Sequence, residues 1–218
     1  MILSLDTTAE FASIALSECD RVVEEVLLHS PDGFGHVLFP QVAQLLARHD
    51  ARVEDVGCFA AASGPGSFTG VRVGLTAVKG LAFAMGKRVA PVSNLQALAW
   101  FGSAPLRATL LDARRGEIYG AVYNAQLNLV LEETVIKFQD WLKLLPVGEI
   151  EFISTDFAPF RSFVDARIPI VTAPRSLAGA IGQIAWKRFL AGETCDPAAV
   201  DANYVRRSDA ELFWKDAK

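Results

Sequence analysis

The residues with the clearest chemical potential lie in one stretch, Gly64-Pro65-Gly66-Ser67-Phe68-Thr69-Gly70-Val71-Arg72-Val73-Gly74-Leu75. It joins an apolar run, Cys58 to Ala62, to a helix-like segment. Gly64 and Gly66 allow backbone angles closed to other residues, and Pro65 fixes its own φ. Ser67 or Thr69 can cap the following helix by accepting a bond from its free N–H groups. A strand, a glycine turn and a helix N-terminus together resemble an anion-binding loop. The spacing is not G-x-x-x-x-G-K-[ST], however, and no lysine follows the second glycine, so the common phosphate loop is absent.

Two acidic hairpins are the next candidates, Asp6-Thr7-Thr8-Ala9 and Asp112-Ala113-Arg114-Arg115-Gly116. An aspartate there could handle a metal ion or its water, and a glycine would let backbone amides approach a phosphate. The first hairpin has no glycine. The second puts two arginines where a tight phosphate hairpin needs small residues, although arginine can bind phosphate through its side chain. A weak nucleotide contact through Asp6, Thr8 and Ser67 is the most these groups support. The competing reading is that Asp6 and Asp112 order their own hairpins by bonding to nearby backbone. Among His29, His36 and His49 no two stand at i, i+4, so no metal site is expected. Gly66-Ser67-Phe68-Thr69-Gly70 departs from the G-x-S-x-G nucleophile elbow. Neither catalytic residues nor a cofactor are expected.

The elements that must position these groups follow from periodicity. Residues 2–5, 12–17 and 22–28 read as strands. A helix near 34–49 carries Leu38, Val42, Leu45 and Leu46 on one stripe, and Pro40 forces it to start late. A buried strand at 57–63, a helix to about Met85 and a strand at 88–92 complete the first half. The second half repeats the order, with strands at 109–112, 118–123 and 129–135, a short helix near 141–145, and strands at 150–154 and 168–171. A helix at 177–190 follows. Leu5-Asp6 aligns on Leu111-Asp112. The pattern run twice predicts an α/β fold of two similar lobes, each a mixed sheet with flanking helices. That is the actin-like ATPase (ribonuclease H-like) architecture, in which nucleotide lies between the lobes. The expected lobes are 1–100 and 101–199, with 200–218 packed back on the first.

The chain has 218 residues, 51% apolar and 21% charged, an ordinary globular balance. Its net charge of -4 argues against direct capture of nucleic acid by this chain alone. Cys19, Cys58 and Cys195 are an odd, scattered set, read as reduced thiols of a cytoplasmic protein. The apolar run at Met1–Leu5 lacks a basic region and is cut short by Asp6, so it is expected to be a strand rather than a signal peptide. No association with a membrane is expected. In the helix after the glycine turn, Gly70, Gly74, Ala77 and Gly80 form a run of small residues. Each helical glycine costs about 1 kcal/mol relative to alanine, so close packing must compensate. That packing could lie within the chain or against another molecule; periodicity leaves both open.

Ile2-Leu3-Ser4-Leu5-Asp6-Thr7-Thr8, Gly64 through Leu75, Val92-Ser93-Asn94-Leu95-Gln96-Ala97-Leu98 and Asp112 through Tyr119 resemble the bacterial TsaB family, also called YeaZ. Pro197 and Asn203-Tyr204-Val205-Arg206-Arg207 resemble its C-terminal signature. The resemblance implies a non-catalytic, actin-like subunit of the machinery that adds a threonylcarbamoyl group to the adenosine beside the anticodon of tRNAs reading ANN codons. The implied partners are the catalytic paralogue TsaD, the ATPase TsaE in a larger complex, tRNA only through that complex, and a second copy when the chain is alone. The implied interface lies on helices of the first lobe, at Val37, Leu38, Gln41, Gly70, Val73, Gly74 and Ala77. A bulky residue at Gly74 is expected to abolish the complex and leave the fold intact. The alternative is an independent actin-like ATPase or glycoprotease-like hydrolase.

Overall fold

The computed structural model describes residues 1–205. It divides into two units, one of residues 1–97 and 175–202, the other of 98–174 and 203–205. In the first unit β1 (Ile2–Asp6), β2 (Phe11–Glu18) and β3 (Arg21–His29) form an antiparallel meander. The chain continues through α1 (Leu38–Arg48), β4 (Cys58–Ala62), α2 (Phe68–Met85) and β5 (Arg88–Val92). The sheet order is β3-β2-β1-β4-β5, with β4 and β5 parallel to β1. Position follows sequence. β1 and β4 are buried at every residue and take the centre, where a strand covered on both faces needs no alternation. β3, which carries Glu24 and Glu25, takes the edge.

α1 buries Leu38, Val42, Leu45 and Leu46, the stripe expected of it, and begins at Leu38, so Pro40 falls in its first turn. α2 is capped by Ser67, whose Oγ accepts from Gly70 N at 3.2 Å, a bond worth about 1 kcal/mol. It ends at Gly86 in the left-handed region, φ 63°. By length and composition α2 could cross a bilayer, but its buried face packs on the central strands as a core helix.

α3 (Asn94–Ala99) leads toward the second unit, which contains β6 (Leu106–Arg114), β7 (Glu117–Asn124), β8 (Leu129–Lys137), α4 (Phe138–Leu142), β9 (Ile150–Ser154) and β10 (Ile170–Thr172). Its sheet order, β8-β7-β6-β9-β10, is that of the first unit strand for strand. Between β9 and β10 a 3-10 helix (Ala158–Phe163) stands where the first unit has α2. Phe138, Trp141, Phe152 and Phe157 pack as an aromatic core on one face.

One boundary differs from expectation. α5 (Ala178–Leu190), assigned from sequence to the second lobe, packs on β1, β2 and β4 of the first unit. Its N-terminus is held there by side chains of that sheet: Ser13 Oγ accepts from Leu177 N and Ala178 N at 3.1 and 3.0 Å, and Glu25 Oε1 accepts from Gly179 N at 2.8 Å. The small face of α5 permits the approach, since a Cβ on Gly182 would lie 2.7 Å from Ser17 Oγ. Cys195 then pairs with Val89 through two backbone bonds, and the buried Val200 accepts Lys79 Nζ at 2.7 Å on its carbonyl. Residues 200–202 thus join the first unit, whereas Asn203 Nδ2 donates to Glu133 Oε2 in the second at 2.6 Å. The rest of the segment expected to pack back, from Arg206 onward, lies outside the described residues.

Candidate functional site

The glycine turn and the first hairpin meet because the sheet places β1 beside β4. Gly64 takes φ 104°, open to glycine, before a cis bond to Pro65. The hairpin lies so close that a Cβ on Gly66 would stand 2.7 Å from Thr8 Cβ, and Ser67 N donates to Thr8 O at 2.8 Å. Asn94, at the start of α3, ties the three segments together. Its N donates to Gly64 O at 2.9 Å, its Oδ1 accepts from Gly64 N at 3.2 Å, and its Nδ2 donates to Thr8 Oγ1 at 2.8 Å. The sequence-predicted positions Asp6, Thr8 and Ser67 therefore do come together, but through bonds to one another.

Asp6 is buried. Its Oδ1 accepts from Thr8 N at 2.9 Å and from Thr8 Oγ1 at 2.7 Å, and Asn94 Nδ2 reaches Oδ2 at 3.4 Å. Desolvation pushes its carboxyl above the ordinary range, while the bonds from Thr8 and Asn94 oppose the shift. In the second unit Asp112 makes the same local turn, with Oδ1 accepting from Arg114 N, two residues on, at 2.8 Å. Arg114, Arg115 and Gly116 all have positive φ there, at 65°, 58° and 74°. Both aspartates order their own hairpins, as the competing reading held. Ser67 caps α2. His29 stacks on Phe11, His49 meets Glu24 at 2.7 Å, and His36 is exposed. Among the described residues no three His, Cys, Asp or Glu side chains gather as a metal set.

The small face of α2 corrects the expectation for Gly70 and Gly74. Both are buried against the β1–β2 hairpin rather than presented at a surface. A Cβ on Gly70 would stand 2.0 Å from Thr7 O, and one on Gly74 would stand 2.7 Å from Thr7 Oγ1. Thr7 Oγ1 donates to Gly70 O at 2.6 Å. A bulky residue at Gly74 would therefore strike the fold itself.

The other side of α2 faces α1 across a groove of about 460 Å³, lined by Gly35, Leu38, Phe39, Phe68, Thr69, Arg72, Val73, Thr76 and Ala77. Of the expected interface positions, Leu38, Val73 and Ala77 line it. Val37 and Gln41 are half-buried and outside the lining. Sequence reasoning missed Phe39 and Phe68, which are 50% and 43% exposed, and Arg72, whose guanidinium carbon lies 3.7 Å above the Phe68 ring. A signal existed: Phe39 is apolar but off the buried stripe of α1, and Arg72 follows Phe68 by one helical turn.

The profile of the TsaD family, tRNA N6-adenosine threonylcarbamoyltransferase, matches residues 34–175. The tRNA threonylcarbamoyladenosine biosynthesis protein TsaB of Haemophilus influenzae is 35% identical over 233 residues, covering 98% of this chain and 95% of that protein. TsaB of Bacillus subtilis is 29% identical over 226 residues, covering 98% and 97%. Among solved structures, YeaZ from Pseudomonas aeruginosa superposes with a TM-score of 0.80 at 26% identity, covering 93% of this chain and 98% of that one.

Proposed function

The chain belongs to the TsaB family, and from that premise we propose that it is a non-catalytic subunit in tRNA threonylcarbamoyladenosine biosynthesis that binds a TsaD-type paralogue and supports its transfer reaction. The observation that carries this reading is the groove between α1 and α2. Two large aromatic side chains, Phe39 and Phe68, stand about half exposed on its walls, where a chain with no partner would leave apolar surface in water. Grooves between two helices that display apolar anchors are a common way to receive a partner helix. The non-catalytic part of the reading is supported by Asp6. Its carboxylate is buried and holds its own hairpin and Asn94, which suits a structural rather than a metal-handling role. The subunit is expected to act in the cytoplasm, with TsaE and tRNA reached through the larger assembly.

The test uses the two exposed rings. Phe39→Ser with Phe68→Ser should weaken binding of the TsaD paralogue from the same cell by at least about tenfold, as truncation of buried aromatic anchors does. The melting temperature should stay within about 2 °C of the parent, because neither ring belongs to the core of the unit. Undiminished binding by the double variant would remove the groove as the docking surface.

A further inference from the structure

We infer that Arg114 and Arg115, at the tip of the β6–β7 hairpin, are a contact for the phosphate backbone of RNA. The inference rests on the reading that the chain works in an assembly that handles tRNA, and it gives the second unit a part in that assembly.

The two arginines hold a strained backbone that has no local use. β6 and β7 are joined by the two-residue turn Arg115-Gly116, closed by the pair Arg114 and Glu117. The favoured turn of this length requires positive φ at both central residues, so Asn-Gly and Asp-Gly dominate there. Here Arg115 takes φ 58°, and Arg114, at the register shift that follows Asp112, takes φ 65°. They are the only adjacent non-glycine residues with positive φ among the described residues. Strain of this kind persists where function holds it. The aspartate turn does not demand it, because Asp6 makes the matching bond to Thr8 N in a loop where no residue has positive φ. A local ion pair does not repay it either. Arg114 Nη1 lies 3.7 Å from Asp112 Oδ2 with its side chain 88% exposed, and a pair so open to water contributes little.

The tip presents positive charge on a chain whose net charge is -4. Arg114 and Arg115 are exposed, and the exposed Lys137 lies opposite Glu117 across β7 and β8 at the same end of the sheet. These three cations stand against Asp112 and Glu117, while Asp140, next on α4, is bound by Lys143 at 2.7 Å. A guanidinium donates through a planar fork that fits phosphate oxygens. Phosphates repeated along a strand can engage two neighbouring arginines without any base being read. The family of the chain belongs to a tRNA pathway, so RNA is the polyanion at hand.

The test combines thermal unfolding with binding of tRNA from the same cell, followed by fluorescence anisotropy from low to high salt, for the chain alone and mixed with the TsaD paralogue. Arg114→Asn with Arg115→Asn gives the turn residues that suit positive φ and removes both guanidinium groups. This variant should melt about 2 °C higher or more, bind the paralogue as the wild type does, and hold tRNA at least about fivefold more weakly at low salt. The logarithmic salt dependence of tRNA binding should be shallower by roughly 1 to 2. Arg114→Lys with Arg115→Lys should keep most of the affinity and the slope. Equal tRNA affinity and slope in the wild type and the asparagine variant would overturn the inference. So would a lower melting temperature in that variant, or a loss of ATP binding with tRNA binding intact, which would assign the tip to a free nucleotide. A wild type that holds no tRNA, alone or mixed, would overturn it as well. Failure of the two proteins to associate would remove the docking role instead, and the tRNA affinities of wild type and variant chains alone would then decide the inference.

Discussion

At Asp6, burial and hydrogen bonding pull in opposite directions, and burial is the larger effect. The carboxyl is held above its ordinary value of 3.8, so the folded chain binds that proton more tightly than the unfolded chain does. This contribution to stability is complete below about 3.8 and is lost as the pH rises through the raised folded value. Asp6→Asn keeps an acceptor for Thr8 N and removes the titration. The difference in unfolding free energy between wild type and Asp6→Asn, followed by urea denaturation across pH 3 to 8, should therefore shift in favour of the variant as the pH rises. A difference that does not change with pH would contradict the assigned burial. The local half of this site was legible, because an aspartate that bonds two residues ahead is a property of a short segment. Asn94 was not legible as its partner: it stands 88 residues from Asp6 along the chain and meets it only once β1, β4 and β5 lie side by side.

Helix α2 separates two kinds of small-residue packing that a sequence cannot distinguish. Its glycines showed that something approaches closely, but only the tertiary structure shows that the neighbour is the β1–β2 hairpin. The contact at Gly70 is with backbone, and Thr7 O cannot move aside without disturbing the turn that holds Asp6 and Thr8. Gly70→Ala should cost about 3 kcal/mol and lower the melting temperature by roughly 6–12 °C. An unchanged melting temperature would mean that the hairpin does not seat on α2 as described. For α1 the reading ran further. The buried stripe and the place of Pro40 set its first turn, and Phe39, left over by that stripe, falls on the groove. α5 shows the limit. Its helical period was legible, but its destination depended on Ser13, Ser4 and Glu25 of strands far away in sequence.

Across the whole molecule the duplicated pattern is real: two five-stranded sheets share one strand order, and the aspartate turn recurs at Asp6 and Asp112. The copies have diverged where their surroundings differ. The second unit replaces the long helix after its fourth strand by a 3-10 turn, and α5 serves the first sheet. The first unit holds the glycine turn, the Asn94 network and the apolar groove, and the proposed function assigns the meeting with a partner to this half. The most direct measurement of that claim is light scattering coupled to size-exclusion chromatography, with the chain alone, the TsaD paralogue alone, and the two mixed in equal amounts. A mixed peak with the summed mass of one copy of each is the predicted result. Two unshifted peaks at the masses of the separate proteins would contradict the account at its functional step.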